Sequence, residues 1–401
     1  MTDLTPTELL PGCTGVLVLA DGTVYQGLGC GATGEALGEV CFNTAMTGYQ
    51  EILTDPSYME QIVAFTFPHV GNTGVNSEDV EQLGNDPKRA AKGAIFRDLP
   101  TPPANWRSDM SFDDWLKQRG IVAIAGIDTR ALTKRIRDKG MPHGIVAHSP
   151  TGRFDLPALI ERAKAWAGLN GLDLAIDATC AQSAAYTTDL WTWPEGFKDG
   201  TKHNFKVVVI DYGVKQNILR ALVNIGADVQ IVPAKTSAEE ILARAPDGVL
   251  LSNGPGDPAA TGEYAVPVIQ KIIAAGVPVF GICLGHQMLA LALGAKTVKM
   301  DQGHHGANHP VKDMTTNKVE IVSMNHGFAV DPSTLPDGVI ETHTSLFDGT
   351  NCGIALAGKP VFSVQHHPEA SPGPVDSLYL FERFAAHMRE AKGAARTTEI
   401  A

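Results

Sequence analysis

A chain of 401 residues, 44% hydrophobic and 19% charged, is too long for one ordinary core and predicts a globular enzyme of two domains. Its formal net charge of −12, from 44 acidic against 32 basic residues, argues against a nucleic-acid or anionic-membrane binder, since both need clustered Lys and Arg. No run approaches the roughly 20 apolar residues that span a bilayer.

The first segment, Met1 to Gly12, is polar and contains Pro. It lacks the basic start and apolar stretch of a secretory signal. The six cysteines (Cys13, Cys30, Cys41, Cys180, Cys283, Cys352) are scattered without a C-x-x-C pair, which predicts reduced thiols in the cytoplasm.

Val16 to Leu19 reads as a strand, Asp21-Gly22 as a hairpin turn and Thr23 to Gln26 as the return strand. The G-x-G-x-x-G string from Gly29 to Gly34 is followed by a strand-like stretch, Glu35 to Asn43. A phosphate loop opens a helix, so a dinucleotide site is not expected here. Gly126-Ile127-Asp128-Thr129-Arg130 opens a helix running to Lys139, capped by Asp128 or Thr129. From Asp173 to Asn204 the periodicity fades, with turn-rich Leu190 to Pro194 and Lys198 to Gly200.

After Phe205 the pattern changes. Lys206 to Ile210 is an apolar run suited to a buried parallel strand. A helix bearing Ile218, Leu219, Leu222 and Ile225 stops at Gly226, and strand Val229 to Val232 follows. Ser237 and Glu240 form a capping box. Next come strand Gly248 to Ser252, helix Ala265 to Ala274 and strand Val277 to Phe280. The expected fold is α/β: a β-rich α+β N-terminal domain over 1–172, a linker over 173–204, a doubly wound, mostly parallel sheet over 205–392, and a frayed tail over 393–401. The region from Lys318 to Gln365 reads as short β segments, before a last helix with Leu378, Phe381, Ala385 and Met388.

The chemistry is concentrated where strands should end. Strand Val277 to Phe280 runs into Gly281-Ile282-Cys283-Leu284-Gly285 and a helix from His286 to Leu293. This is a nucleophile elbow, G-x-C-x-G, which exposes the thiol at a helix N-terminus. A free thiol, with a pKa of about 8.5, needs a base. That base lies in Gln365-His366-His367-Pro368-Glu369, where either histidine qualifies by spacing and Glu369 can orient His367. The rigid loop Ser252-Asn253-Gly254-Pro255-Gly256-Asp257-Pro258 can combine with the Leu284 N–H as an oxyanion hole. His304, His305 and His309 with Asp301 do not read as a metal site, because Gly303, Gly306 and Pro310 should break the register that would converge them.

Gly281 to Gln287, Asn253 to Gly256 and His367-Pro368-Glu369 resemble the three signatures of class I, triad-type glutamine amidotransferases. The whole chain resembles the small subunits of carbamoyl phosphate synthetase. That resemblance rests on Phe42-Asn43-Thr44, Met46 to Tyr58, Gly126 to Arg130, Met324 to Phe328 and Glu369 to Pro374. It implies a Cys283 nucleophile, and it selects His367, backed by Glu369, as the proton carrier. It also implies a glutamine pocket of Gly254, Gly256, Leu284, Gln287, Asn325, Gly327 and Phe328, with Ser57 reaching it from the N-terminal domain. Gln287 is expected to hydrogen-bond the substrate.

By the same resemblance ammonia passes through a tunnel to a large synthetase subunit, which uses bicarbonate and ATP with Mg to supply arginine and pyrimidine synthesis. No cofactor, metal, nucleic acid or membrane is implied for this chain, and it carries no G-x-x-x-x-G-K-[ST] loop. The N-terminal domain, with no evident chemistry, is expected to carry much of the partner contact. Two rival readings are a stand-alone γ-glutamyl cysteine hydrolase and a non-catalytic regulatory or scaffold subunit. Neither gives both the elbow and the N-terminal motifs a reason.

Overall fold

The continuous apolar run Val16-Leu17-Val18-Leu19, buried throughout, forms the first strand of a computed structural model that describes residues 9–84 and 86–400. Residues 1–8, to which most of the reading of the N-terminal segment applies, lie outside it. The chain forms two compact units: Met1–Asn170 with Asp301–Gly306, and Gly171–Met300 with Ala307–Ala401.

The first unit holds strands β1 (Gly15–Leu19), β2 (Val24–Gly31), β3 (Gly34–Asn43), β4 (Gln61–Phe65), β5 (Gly93–Ile95), β6 (Val122–Ala125) and β7 (His143–His148). They close into a barrel in the order β1-β2-β6-β5-β4-β3-β7. The hairpin turns at Asp21-Gly22, where the Thr23 N–H donates to Asp21 Oδ1 at 3.1 Å. The string from Gly29 to Gly34 ends β2 and begins β3, so it supplies strands rather than a phosphate loop. Four helices accompany the barrel: α1 (Tyr49–Thr54), α2 (Phe112–Arg119), α3 (Thr129–Lys139) and α4 (Leu156–Ala165). Asp128 is the cap of α3, accepting from the Ala131 N–H at 3.0 Å. Leu132 and Ile136 of α3 join Leu17, Leu19, Val40, Ile62, Ile95 and Ile124 in one core. Such closure leaves no strand edge unpaired.

The second unit contains α5 (Ala175–Ala178), β8 (Ala184–Tyr186), β9 (Phe205–Asp211), α6 (Gln216–Asn224), β10 (Ala227–Pro233), α7 (Ala238–Ala243), β11 (Gly248–Leu251), α8 (Pro258–Ala274), β12 (Val279–Ile282) and α9 (Leu284–Leu293). It continues with β13 (Thr297–Asp313), β14 (Val319–Val330), β15 (Val339–Ser345), β16 (Asn351–Leu356), β17 (Val361–Val364) and α10 (Tyr379–Ile400). The ten strands lie in the order β14-β13-β15-β16-β17-β12-β11-β9-β10-β8. The run from β10 to β17 is parallel. Taken in chain order its strands read 2-1-3-4-5, so the order reverses between β9 and β11, where loops diverge and leave a crevice.

Several boundaries differ from the sequence reading. Residues 173–204, expected as a linker, contribute α5 and β8, and β8 pairs antiparallel with the outer strand β10. So short a strand carries almost no periodicity. Helix α8 begins at Pro258, seven residues early, because Asp257 caps it and proline suits the first helical position. Strand β12 ends at Ile282, nearer the cysteine than expected.

β14 is long rather than short, and β13 runs unbroken through Gly303, Gly306 and Pro310. Positive φ at both glycines lets the strand kink without ending. The expected tail is helical to Ile400, since Ala391, Ala394 and Ala395 favour α10.

Candidate active site

The loops that follow β9, β11, β12 and β17 leave neighbouring parallel strands at their carboxyl ends, and each carries one part of the site. After β12 the backbone turns within one residue. Cys283 has φ 55° and ψ −106°, a conformation side-chain-bearing residues rarely hold, and it caps α9. The flanking glycines are required by space. A Cβ on Gly281 would sit 2.6 Å from the Gly285 carbonyl oxygen, and one on Gly285 would run into the Leu251 carbonyl. The Cys283 N–H donates to Val364 O at 2.9 Å, tying the corner to β17. Its thiol is buried and donates to the Asn325 carbonyl at 3.5 Å.

His367 follows β17, and its N–H donates to Ser323 O at 2.9 Å. Its Nδ1 lies 2.7 Å from Glu369 Oε1, and Nε2 is buried without a hydrogen bond of ordinary geometry. Glu369 also accepts from Lys215 Nζ at 2.9 Å, and Lys215 donates again to the Ala370 carbonyl at 2.6 Å. Burial pushes the Glu369 carboxyl up, but Lys215 and then His367 overcome it and hold it down at about 2. Burial would likewise keep the His367 ring neutral. The charges of Glu369 and Cys283 outweigh it and raise the ring to about 10, against an opposing push from Lys215.

His366 has the opposite fate. It is fully buried, 5.5 Å from the His343 ring, and burial drives its pKa far down. Of the two histidines that spacing left open, only His367 has a carboxylate partner in the described structure. No motif marks Lys215 in the sequence. Its one signal is its place directly after a buried parallel strand, four residues past Asp211.

The β11 loop is fixed from behind by the β9 loop. Ser252 Oγ accepts from the Tyr212 N–H at 2.9 Å, and Asn253 Oδ1 accepts from the Lys215 N–H at 3.0 Å. A side chain on Gly254 would run into the Tyr212 carbonyl, and Gly256 holds φ 95°. The Leu284 N–H lies in the first turn of α9, where no helical carbonyl is available to accept it. These features suit donors aimed at a developing oxyanion.

The Gln287 amide nitrogen donates to Phe328 O at 2.8 Å and to Gln365 Oε1 at 3.0 Å, which engages both its hydrogens. Asn325, Gly327 and Phe328 lie on β14, with Asn325 touching the Cys283 sulfur and the Phe328 ring 4.7 Å from Lys299 Nζ. Ser57 belongs to the first unit, in the turn Pro56–Tyr58, where its N–H donates to Asp55 at 2.8 Å. His305 packs on Tyr58 and His309 on Phe347.

Comparison with known proteins supplies the family. Residues 17–146 match the carbamoyl-phosphate synthase small chain, CPSase domain, and residues 208–387 match the class-I glutamine amidotransferases. A carbamoyl phosphate synthase small chain of Caulobacter vibrioides is 73% identical over 385 residues, covering 96% of this chain and 99% of that one. Small chains from Mesorhizobium japonicum and Agrobacterium fabrum are each 63% identical, covering 99% and 96% of this chain and 100% and 97% of their own. The protein therefore belongs to the carbamoyl phosphate synthase small-chain family, its second unit being a class-I glutamine amidotransferase.

Proposed function

We propose that Cys283, His367 and Glu369 carry out the glutamine hydrolysis that family membership assigns to this chain. The observation that carries this reading is the strained Cys283 corner beside an imidazole whose charge is stabilised by a buried carboxylate. The Cys283 proton passes to His367, and the thiolate attacks the side-chain carbonyl carbon of glutamine. The resulting oxyanion is met by N–H groups of Leu284 and the Gly254–Gly256 loop, worth about 3–4 kcal/mol per donor. The intermediate collapses, the imidazolium protonates the leaving nitrogen, and ammonia departs. Water activated by His367 then cleaves the γ-glutamyl thioester, releasing glutamate and the thiol. Glu369 keeps the ring oriented throughout, and Lys215 holds Glu369 ionised.

Asn325, Gly327, Phe328, Gly254, Gly256, Leu284 and Gln287 are proposed to line the glutamine pocket, with Ser57 proposed as a further glutamine-binding residue. The ammonia serves a large synthetase subunit that makes carbamoyl phosphate from bicarbonate and ATP, for arginine and pyrimidine synthesis in the cytoplasm. Among the described residues, no helix is long and apolar enough to cross a membrane. The N-terminal unit is proposed as the main partner contact.

The test is glutamine-dependent ammonia release by wild type, Cys283→Ser and His367→Asn. Both variants should lose about 10³-fold or more in kcat, while ammonia-driven synthesis by the complex survives. Full hydrolysis by either variant overturns the assignment.

A further inference from the structure

We infer that a cationic cleft on the first unit docks an acidic segment of the synthetase partner; this rests on the reading that the chain works with such a subunit. The cleft, about 760 Å³, opens beside the carboxyl ends of the parallel strands β3 and β4. Phe42, Thr44, Thr66 and Gln302 contribute to one wall. The first two turns of α3 and the start of its third supply Arg130, Lys134 and Arg137.

The charge here runs against the chain as a whole. In a protein of net charge −12, three cations line the cleft against a single carboxylate, Asp128. That carboxylate is already engaged, capping α3 and lying 3.8 Å from Arg97. Among the described residues, Arg137 pairs only with its neighbour Asp138 at 2.8 Å, on the exposed surface. Arg130 and Lys134 are exposed and have no acidic partner among the described residues. Surface cations without counterions in an acidic chain leave a local positive field that favours a negative partner.

The spacing decides what kind of anion fits. Positions 130, 134 and 137 spread the charges along about 10 Å of helix instead of converging them. A compact phosphate prefers free backbone amides at a helix N-terminus. Here that terminus is capped by the Asp128 carboxylate, which would repel it. A segment with two or three acidic side chains matches the spread, while the Thr66 hydroxyl and Gln302 amide, which have no side-chain hydrogen bond among the described residues, can meet its polar groups. The location also favours the synthetase as its source. All lining residues except Gln302 fall within 17–146, the stretch matching the small-chain model and lying outside the amidotransferase match.

The experiment uses the full chain and its cognate large subunit. Dissociation constants are measured at several salt concentrations for wild type, the triple reversal Arg130→Glu/Lys134→Glu/Arg137→Glu, and the milder Lys134→Gln. Glutaminase activity of each chain alone serves as the folding control. Wild-type affinity should fall with salt. The triple variant should bind at least about tenfold more weakly at low salt, with a flatter salt slope, and Lys134→Gln should move the same way by less. Equal affinity and slope for wild type and the triple variant overturn the inference while leaving the partner reading intact. Stabilisation of the isolated chain by inorganic phosphate, lost in the triple variant with association unchanged, would also overturn it, assigning the cleft to a small anion. If wild type fails to bind the large subunit at any salt, the partner reading falls, and this inference with it.

Discussion

The two units of this protein solve the same folding problem in opposite ways. In the first, seven strands close on themselves around an apolar interior of Leu17, Val40, Ile62 and Ile124, and its ion pairs are surface ones such as Arg97–Asp128. In the second, the sheet stays open and its strand order reverses. Four loops then converge on a buried charged trio, Lys215, Glu369 and His367, beside a strained cysteine. An open α/β sheet offers a crevice at its switch point, and there the fold tolerates strain and buried charge. On the proposed function, the contrast separates a unit that would serve partner contact from one that would serve the chemistry.

The sharpest way to test this difference is to break the buried trio. Lys215→Met removes the lysine paired with Glu369 and leaves the buried carboxylate with His367 as its remaining cationic partner among the described residues, at about 3–5 kcal/mol of stability. Denaturant titration should show that loss. With Lys215 gone, the Glu369 pKa rises, so the acid limb of kcat should shift to higher pH. A variant as stable as wild type, with an unmoved pH profile, would mean the second unit depends no more on buried charge than the barrel does.

The acid response should also differ between units. His286 is held at about 3 and His343 at about 4, in both cases because burial disfavours the charged ring. Their unfolded values lie near 6.5, so each folded pKa is depressed. The unfolded chain therefore takes up protons first, and their stabilisation, full above pH 6.5, is lost as pH falls toward 4 and then 3. By pH 5 each contributes about 2 kcal/mol of loss. Hydrogen exchange followed from pH 7 to 5 should show α9 and β15 losing protection ahead of β1 to β7. Equal loss in both units would erase the distinction.

How far the sequence revealed this arrangement follows from which signals are local. Cys283 was legible because its flanking glycines and strand-to-helix setting lie within five residues, and the Ser237 capping box for the same reason. The capping box is fully formed, with Ser237 and Glu240 bonded reciprocally. Barrel closure was not legible, since it depends on β1 meeting β7 across more than a hundred residues. Lys215 was hidden likewise, because its partner Glu369 is 154 positions away. The bonds of Gln287 were hidden for the same reason, since its acceptors, Phe328 and Gln365, are 41 and 78 positions away. The β13 glycines read locally as breaks, whereas the strand runs on through them.

The smallest effect tests the independence of the units. Asp128→Ala deletes the cap of α3, whose side chain satisfies the Ala131 N–H, and should destabilise the protein by about 1 kcal/mol. The buried trio and α3 belong to different units, so glutamine hydrolysis by the chain alone should keep its kcat and its pH profile. The same change removes the one carboxylate lining the cationic cleft, so an acidic partner should bind slightly tighter at low salt, provided α3 keeps its place. A change in hydrolysis without a change in association would reverse the division of labour, making the barrel part of the chemistry and not of the contact.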